Sequence, residues 1–176
     1  SDLMHRSEFD LLTDTQNRFS MEKQLDSLID EARRTAGIFG IIYIDLDRFK
    51  QVNDVYGHQI GDLYRQQAVL RMKQQLRPSD ILARLGGDEF GALVSVIRNR
   101  AHVEEIALRL ERCFDEPFAI EGNSLQGSAS IGIALYPEDA STKEALLRSA
   151  DSAMYAAKNA KRYAPGTPAP SSETRP

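Results

Sequence analysis

Apolar residues first fall into a regular rhythm at Met21, Leu25, Leu28, Ile29 and Ala32, three and four positions apart, with Asn17 placed to cap the first turn. This spacing predicts a helix over about Arg18–Arg34. The period then changes. Ile38-Phe39-Gly40-Ile41-Ile42-Tyr43-Ile44 is a continuous apolar run rich in β-branched residues, which predicts a buried strand. It runs out into Asp45-Leu46-Asp47, two carboxylates of which only one is expected to serve a site at the strand's end. Arg48 to Gly61 is polar and punctuated by glycines, after which Val69, Met72 and Leu76 mark a second helix beginning near Asp62 and stopped by Arg77-Pro78-Ser79-Asp80.

Ile81–Leu85 and Glu89–Val96 read as two strands of a hairpin joined by a two-residue Gly86-Gly87 turn, with Asp88 and Glu89 at its tip. Val103, Ile106, Ala107, Leu110 and Phe114 give the cleanest amphipathic spacing in the chain and predict a third helix ending before Pro117. Phe118–Ile120 and Ser128–Tyr136 are strand-like. Ser141-Thr142-Lys143-Glu144 matches a capping box and opens a last helix with Leu147, Ala150, Met154 and Ala157 along one side. The order of elements is helix, strand, helix, hairpin, helix, two strands, helix. Hairpins demand antiparallel pairing, so the expected class is α/β of the α+β kind, a mixed and mainly antiparallel central sheet flanked by helices.

Composition narrows the function classes. The 176 residues carry 22 Lys and Arg against 26 Asp and Glu, a net charge of −4, with no block of basic residues. Non-specific nucleic-acid binding is therefore not expected, whereas a nucleotide site, which needs only a few local cations, remains open. Cys113 is the only cysteine, so neither a disulfide framework nor a thiolate metal cluster is available, as suits a reducing cytoplasm. No apolar run approaches the roughly 18 residues of a membrane span. Residues 1–9 read as the end of an upstream linker or helix, 10–163 as one catalytic domain, and 164–176 as a Pro/Ser-rich tail or linker, which together suggest a module of a longer protein.

The most informative run is Gly86-Gly87-Asp88-Glu89-Phe90. Glycines at a hairpin tip allow a ligand to approach the backbone closely. If the Asp45 strand and this hairpin are neighbours, Asp45 and Asp88 converge, and converging carboxylates at a strand end attract Mg²⁺. Lys158 and Arg162 are four apart on the last helix and share a face.

Asp45-Leu-Asp47-Arg-Phe49-Lys50-Gln-Val-Asn53-Asp54-Val-Tyr-Gly57-His58-Gln-Ile-Gly61-Asp62, followed by Gly86-Gly87-Asp88-Glu89-Phe90, resembles the GGDEF-domain diguanylate cyclases. Asp10-Leu-Leu12-Thr13 with Asn17-Arg18 resembles the family's opening signature. Ser130-Ile-Gly132-Ile-Ala134 and Ala150-Asp151-Ser-Ala153-Met154-Tyr155-Ala-Ala157-Lys158 resemble its closing ones, so the likeness covers about Asp10 to Tyr163. The resemblance implies a palm like that of the class III nucleotidyl cyclases. It also implies a reaction: two GTP condense into cyclic di-GMP with release of pyrophosphate in a homodimer of facing half-sites. By the same resemblance, Asp45, Asp88 and the backbone carbonyl of Leu46 hold Mg²⁺ (or Mn²⁺), two ions per GTP. Asp88 and Glu89 are the catalytic carboxylates, and either is open as the acceptor of the hydroxyl proton. Asn53 and Asp62 read the guanine edge, Asp62 accepting from its N1 and N2 donors while Asn53 complements the remaining polar edge, with His58 beside them. Arg48, Phe49 and Lys50 form the short phosphate loop, Gly86 and Gly87 admit the nucleotide, and Lys158 and Arg162 take the distal phosphates. Arg77 and Asp80 resemble the family's inhibitory product site, which Arg109 of a neighbouring subunit completes.

Three positions depart from the family pattern: Asp14 and Thr15 stand where Gly and Leu are usual, and Lys161 stands where Gly usually precedes Arg162. Lys161 is expected to disturb the last turn of its helix. Tyr155, Phe90 and His102 read as packing or surface residues. The alternative function is a binding module that holds GTP or cyclic di-GMP without turnover and regulates an attached output domain.

Overall fold

Asn17 does what its position predicts: its side chain accepts a hydrogen bond from the Ser20 amide at 3.0 Å and starts helix α1 (Arg18–Thr35). A computed structural model describes residues 9–162. The tail expected over 164–176 lies outside them, as does the upstream segment, except that Phe9 belongs to a short first strand. That strand, β1 (Phe9–Asp10), pairs antiparallel with β2 (Thr15–Asn17). Neither was expected, because two or three residues are too few to show a period. Asp14, between them, has φ 53°, the left-handed region, which accounts for the glycine usual at this position.

The buried run becomes β3 (Phe39–Leu46), all eight residues buried. Beyond it the polar stretch is not a loop. Phe49–Tyr56 forms helix α2, and α3 (His58–Gln75) begins four residues earlier than Asp62, with Gly57 at φ 91° making the break between the two. Strands β4 (Ile81–Gly86) and β5 (Glu89–Val94) form the expected hairpin, but Gly86 pairs with Glu89, so the turn residues are Gly87 and Asp88. An irregularity in register between Arg84 and Gly86 shifts the turn by one residue. Helix α4 (Arg100–Arg112) is capped by Asn99, and the β6 (Phe118–Ile120)–β7 (Asn123–Leu125) hairpin includes one strand not expected. Strand β8 (Ala129–Tyr136) leads to α5 (Lys143–Arg162), where the Thr142 hydroxyl, not Ser141, accepts the Ala145 amide hydrogen bond.

The sheet runs β1-β2-β4-β5-β3-β8 and is antiparallel except where β2 meets β4, so it is mixed and mainly antiparallel as expected. Period-two alternation divides β3 between two cores. Ile42, Ile44 and Leu46 join Tyr64, Phe90, Phe114 and Phe118 beneath α2, α3 and α4. Phe39, Ile41 and Tyr43 join Met21, Leu25, Leu146 and Met154 beneath α1 and α5. Asp45 continues the second set and therefore faces α5.

Helix α5 crosses β8 at Gly132. A Cβ placed there would lie 2.0 Å from the Met154 nitrogen, 2.4 Å from the Ala150 oxygen and 2.6 Å from the Ala153 carbonyl carbon. Backbone cannot rotate away as a side chain can, so Gly132→Ala would push the helix off the sheet. The substitution is expected to lower stability by about 3 kcal/mol, the upper range for overpacking, measured as a shift in urea midpoint. An unchanged midpoint would show that the helix does not depend on this contact.

Candidate active site

Where β3 ends, five elements meet around one cavity of about 550 Å³, within the size range of small-ligand sites. Its wall is drawn from Asp45 on β3, Arg48 just before α2, Phe49, Lys50 and Asn53 of α2, Arg65 on α3, Gly87–Glu89 of the hairpin, and Tyr155, Lys158, Asn159 and Arg162 of α5. The expected convergence is therefore present: Asp45 is the register partner of Glu89, and the Leu46 amide donates to the Asp88 carbonyl at 3.0 Å, tying the turn to the strand exit. Gly86 and Gly87 have φ of 150° and 51°, conformations that L side chains rarely adopt.

Asp45 is only 7% exposed. Its Oδ2 accepts from the Lys158 ammonium at 2.6 Å, while its Oδ1 is buried without a hydrogen-bond partner. Burial, then the charge of Asp88, pushes the Asp45 carboxyl up from 3.8 to about 7, against the pull of Lys158. For Lys158 burial acts downward, but the bond and charge of Asp45 outweigh it and the ammonium is held more firmly. The two shifts differ in what they favour, and the short contact decides between them: the pair is a charge-assisted one whose carboxylate is under strain from its neighbour and from lost water. Among the described residues no three His, Cys, Asp or Glu side chains converge as a metal cluster. The expected cation set was two carboxylates and a backbone carbonyl, and an anionic oxygen with nothing to balance it, Oδ1 of Asp45, fits such a set.

Asp47 takes no part in the cavity wall. Its oxygens accept from Ser130 Oγ at 2.7 Å, Ser128 Oγ at 2.8 Å and Lys161 Nζ at 2.9 Å. Lys161 lies inside the regular helix and also reaches the Ala129 carbonyl. The expected disturbance of the last turn does not occur, because the ammonium finds two acceptors and adds a tie between α5 and the sheet.

At the other end of the cavity, Arg48 stands at φ 56° and no side chain caps the start of α2. Asn53 lies over Gly61 of the next helix so closely that a Cβ there would come 1.8 Å from its Oδ1. Asp62 is outside the wall, half-exposed, and joined to it through Arg65 at 3.2 Å. His58, exposed at the start of α3, does not line the cavity. Three lining residues were missed by the sequence reading. Tyr155 and Asn159 share the helical stripe of Lys158 and Arg162, and Arg65 follows Asp62 by three, so helical spacing carried the signal. Phe90, by contrast, is core as expected.

The Arg77–Asp80 turn is remote from this cavity. Arg77 donates from Nε at 3.1 Å and Nη2 at 2.9 Å to the two oxygens of Asp80, and from Nη1 to the Val96 carbonyl at 2.6 Å. Asp80 is fully covered, at 1% side-chain exposure. Arg109 donates to the Gln75 carbonyl at 3.2 Å and is not part of the cleft beside Arg77 and Asp80.

The sequence matches the family model described as "Diguanylate cyclase, GGDEF domain" over residues 7–164. It is similar to the bifunctional diguanylate cyclase/cyclic di-GMP phosphodiesterase MucR of Pseudomonas aeruginosa, at 41% identity over 85% of this chain and 22% of the relative. It is also similar to the diguanylate cyclase TpbB of the same organism, at 40% identity over 91% of this chain and 37% of the relative. The chain thus spans well under half the length of either. The crystal structure of the TpbB GGDEF domain superposes with a TM-score of 0.82 at 40% identity, covering 84% of this chain and 92% of that one.

The Asp45 carboxyl titrates higher folded than its ordinary 3.8, so the stability it contributes is fully present below that value and is lost as pH rises through about 7. Metal-free protein is expected to lose stability across this window, measured by urea denaturation at each pH. Asp45→Asn, neutral throughout, should flatten that part of the profile; equal slopes in both proteins would remove Asp45 as the source.

Proposed function

Because the chain belongs to the GGDEF-domain diguanylate cyclase family, we propose that it condenses two GTP molecules into cyclic di-GMP and pyrophosphate, as a homodimer in which two half-sites face each other. The observation that carries this reading is the mixed charge of one cavity wall: Asp45, Asp88 and Glu89 share it with Lys50, Lys158 and Arg162. Carboxylates suit divalent cations and the cationic side chains suit phosphate oxygens, a combination that matches a metal-bound triphosphate. Mg²⁺ (or Mn²⁺), two ions per GTP, bound by Asp45, Asp88 and the Leu46 carbonyl, would neutralise phosphate charge and lower the pKa of the attacking hydroxyl.

The chain's own residues supply the rest. Arg48, Phe49 and Lys50 take the phosphates at the uncapped start of α2, where backbone amides point outward. Lys158 and Arg162 hold the distal phosphates, and Asn53 and Asp62 read the guanine. The 3′-hydroxyl of one GTP attacks the α-phosphorus of the other; a P–O bond forms as the bond to pyrophosphate breaks, and the hydroxyl proton passes to Asp88 or Glu89. A second transfer in the opposite sense closes the ring.

The same reading includes an inhibitory product site at Arg77 and Asp80, completed by Arg109 from a neighbouring subunit. The orientation of the Arg77 guanidinium by a buried carboxylate supports it. Regulatory domains in the same full-length cytoplasmic or membrane-attached protein would supply the input. Among the described residues no helix is long and apolar enough to cross a membrane. The second reading is a non-turnover receptor for GTP or cyclic di-GMP that regulates an attached output domain.

Incubation with GTP and Mg²⁺ across a protein concentration series separates the readings. Cyclic di-GMP, quantified by chromatography, is expected to rise more than linearly with protein and to fall at least about a thousandfold in Asp88→Ala, as for loss of a principal electrostatic group. GTP binding without product, even at high protein concentration, would favour the receptor. In a second test, Gly61→Ala is expected to displace the Asn53 amide and weaken GTP binding about tenfold, roughly one lost hydrogen bond, without lowering the urea midpoint, since alanine favours the helix. Unchanged GTP affinity would detach Asn53 from base recognition.

A further inference from the structure

Arg65 is only 8% exposed yet carries a full charge. Its guanidinium lies 4.3 Å from the centroid of the Phe49 ring, its Nη1 donates to Asp62 Oδ1 at 3.2 Å, and its Nε is buried with no partner. The same side chain lines the cavity, on the side where Asn53 stands over Gly61. A buried guanidinium with an unused donor is costly unless something completes it. Lys50, Lys158 and Arg162 supply the cations of the phosphate end. Arg65 belongs instead with Asn53 and Asp62, at the base end.

From this geometry we propose that Arg65 is a specificity-determining residue for the purine, donating to guanine O6 while its ion-pair partner Asp62 accepts from N1–H and N2–H. The inference rests on the nucleotide reading above and deepens it. Guanine presents, in order along one edge, an acceptor at O6 and donors at N1 and N2. A guanidinium hydrogen-bonded to a carboxylate presents the complement in the same order, a donor beside an acceptor. Adenine reverses both positions, with an amino donor facing the cation and a bare N1 facing the carboxylate. Phe49, beneath the guanidinium, fixes the plane of the donor fork and keeps it from turning toward the phosphates. Asp62 accounts for N1 and N2, and Arg65 sets a charged donor for O6 beside it.

The test is calorimetric binding of three triphosphates whose α–β bridge is methylene, so that turnover does not intrude. Their bases are guanine, hypoxanthine, which lacks the 2-amino group but keeps O6 and N1–H, and 2,6-diaminopurine, which replaces O6 by an amino group and leaves N1 without its proton. Arg65→Met keeps the apolar stem over Phe49 and removes the donors. It is expected to narrow the guanine-over-diaminopurine preference about ten- to hundredfold, the range for losing a specific base contact, while leaving the guanine-over-hypoxanthine ratio unchanged. Arg65→Lys, with one donor restored, should recover part of the preference. Equal weakening of all three ligands, or a change confined to the hypoxanthine ratio, would reduce Arg65 to a support for Asp62 and overturn the proposal. Wild-type preference of less than tenfold for guanine over diaminopurine would overturn it without any variant. Failure of the wild-type protein to bind any of the three would instead remove the nucleotide reading itself, and the proposal with it.

Discussion

How closely one helix can lie on one strand sets the geometry of the whole site. With no side chain at Gly132, the backbone of α5 comes within contact of β8, and the helix then runs over the sheet toward the exit of β3. Its last turns deliver Lys158 to Asp45, Lys161 to Asp47 and Arg162 to the cavity. The cations that face the carboxylates are thus placed by packing two turns of helix away, in a core that bears no charge. A helix lifted by the thickness of a methyl group would carry all three ammonium and guanidinium heads outward together.

The carboxylates are placed by a different rule. Asp45 shares a strand face with Ile41 and Tyr43, and Glu89 is its register partner, so ladder pairing alone brings them side by side. Asp88 needs the irregular turn. Gly87 at φ 51° reverses the chain, the Leu46 amide holds the Asp88 carbonyl, and Arg84 braces the turn by donating to the Gly87 carbonyl at 3.1 Å and to Asp10 at 2.9 Å. The acidic cluster therefore depends on the edge strand β1 as well as on the centre of the sheet.

Long periodic segments were legible in the sequence, and short ones were not. Strand β3 shows as an unbroken apolar run, and helices α1, α4 and α5 each bury enough residues to show their period. Helix α2 buries only Phe49, so its polar face dominated and it read as a loop; β1, β2 and β7 are too short to repeat anything. The motif residues were legible by type, but where each side chain ends up was less so. His58 was expected at the cavity, which it does not line, while Tyr155, Asn159 and Arg65 do line it without belonging to an evident pattern of carboxylates or phosphate-binding cations. Arg65 is hidden by composition: an arginine on a helix is ordinarily a surface residue, and only the ring of Phe49 and the approach of α2 make this one interior.

Lys158 is shared between two tasks. At rest it neutralises Asp45, so the cavity holds its own internal counter-ion. In the proposed function, a phosphate group that drew the ammonium away would leave a buried carboxylate facing Asp88 and so raise the site's affinity for a divalent cation; a cation arriving first would release the ammonium for the phosphate. Occupancy at the two ends would in this way be reciprocal, each ligand strengthening the other by the same factor. Such an exchange would make the site a poor trap for either stray metal ions or free nucleotide, and a selective one for the two together.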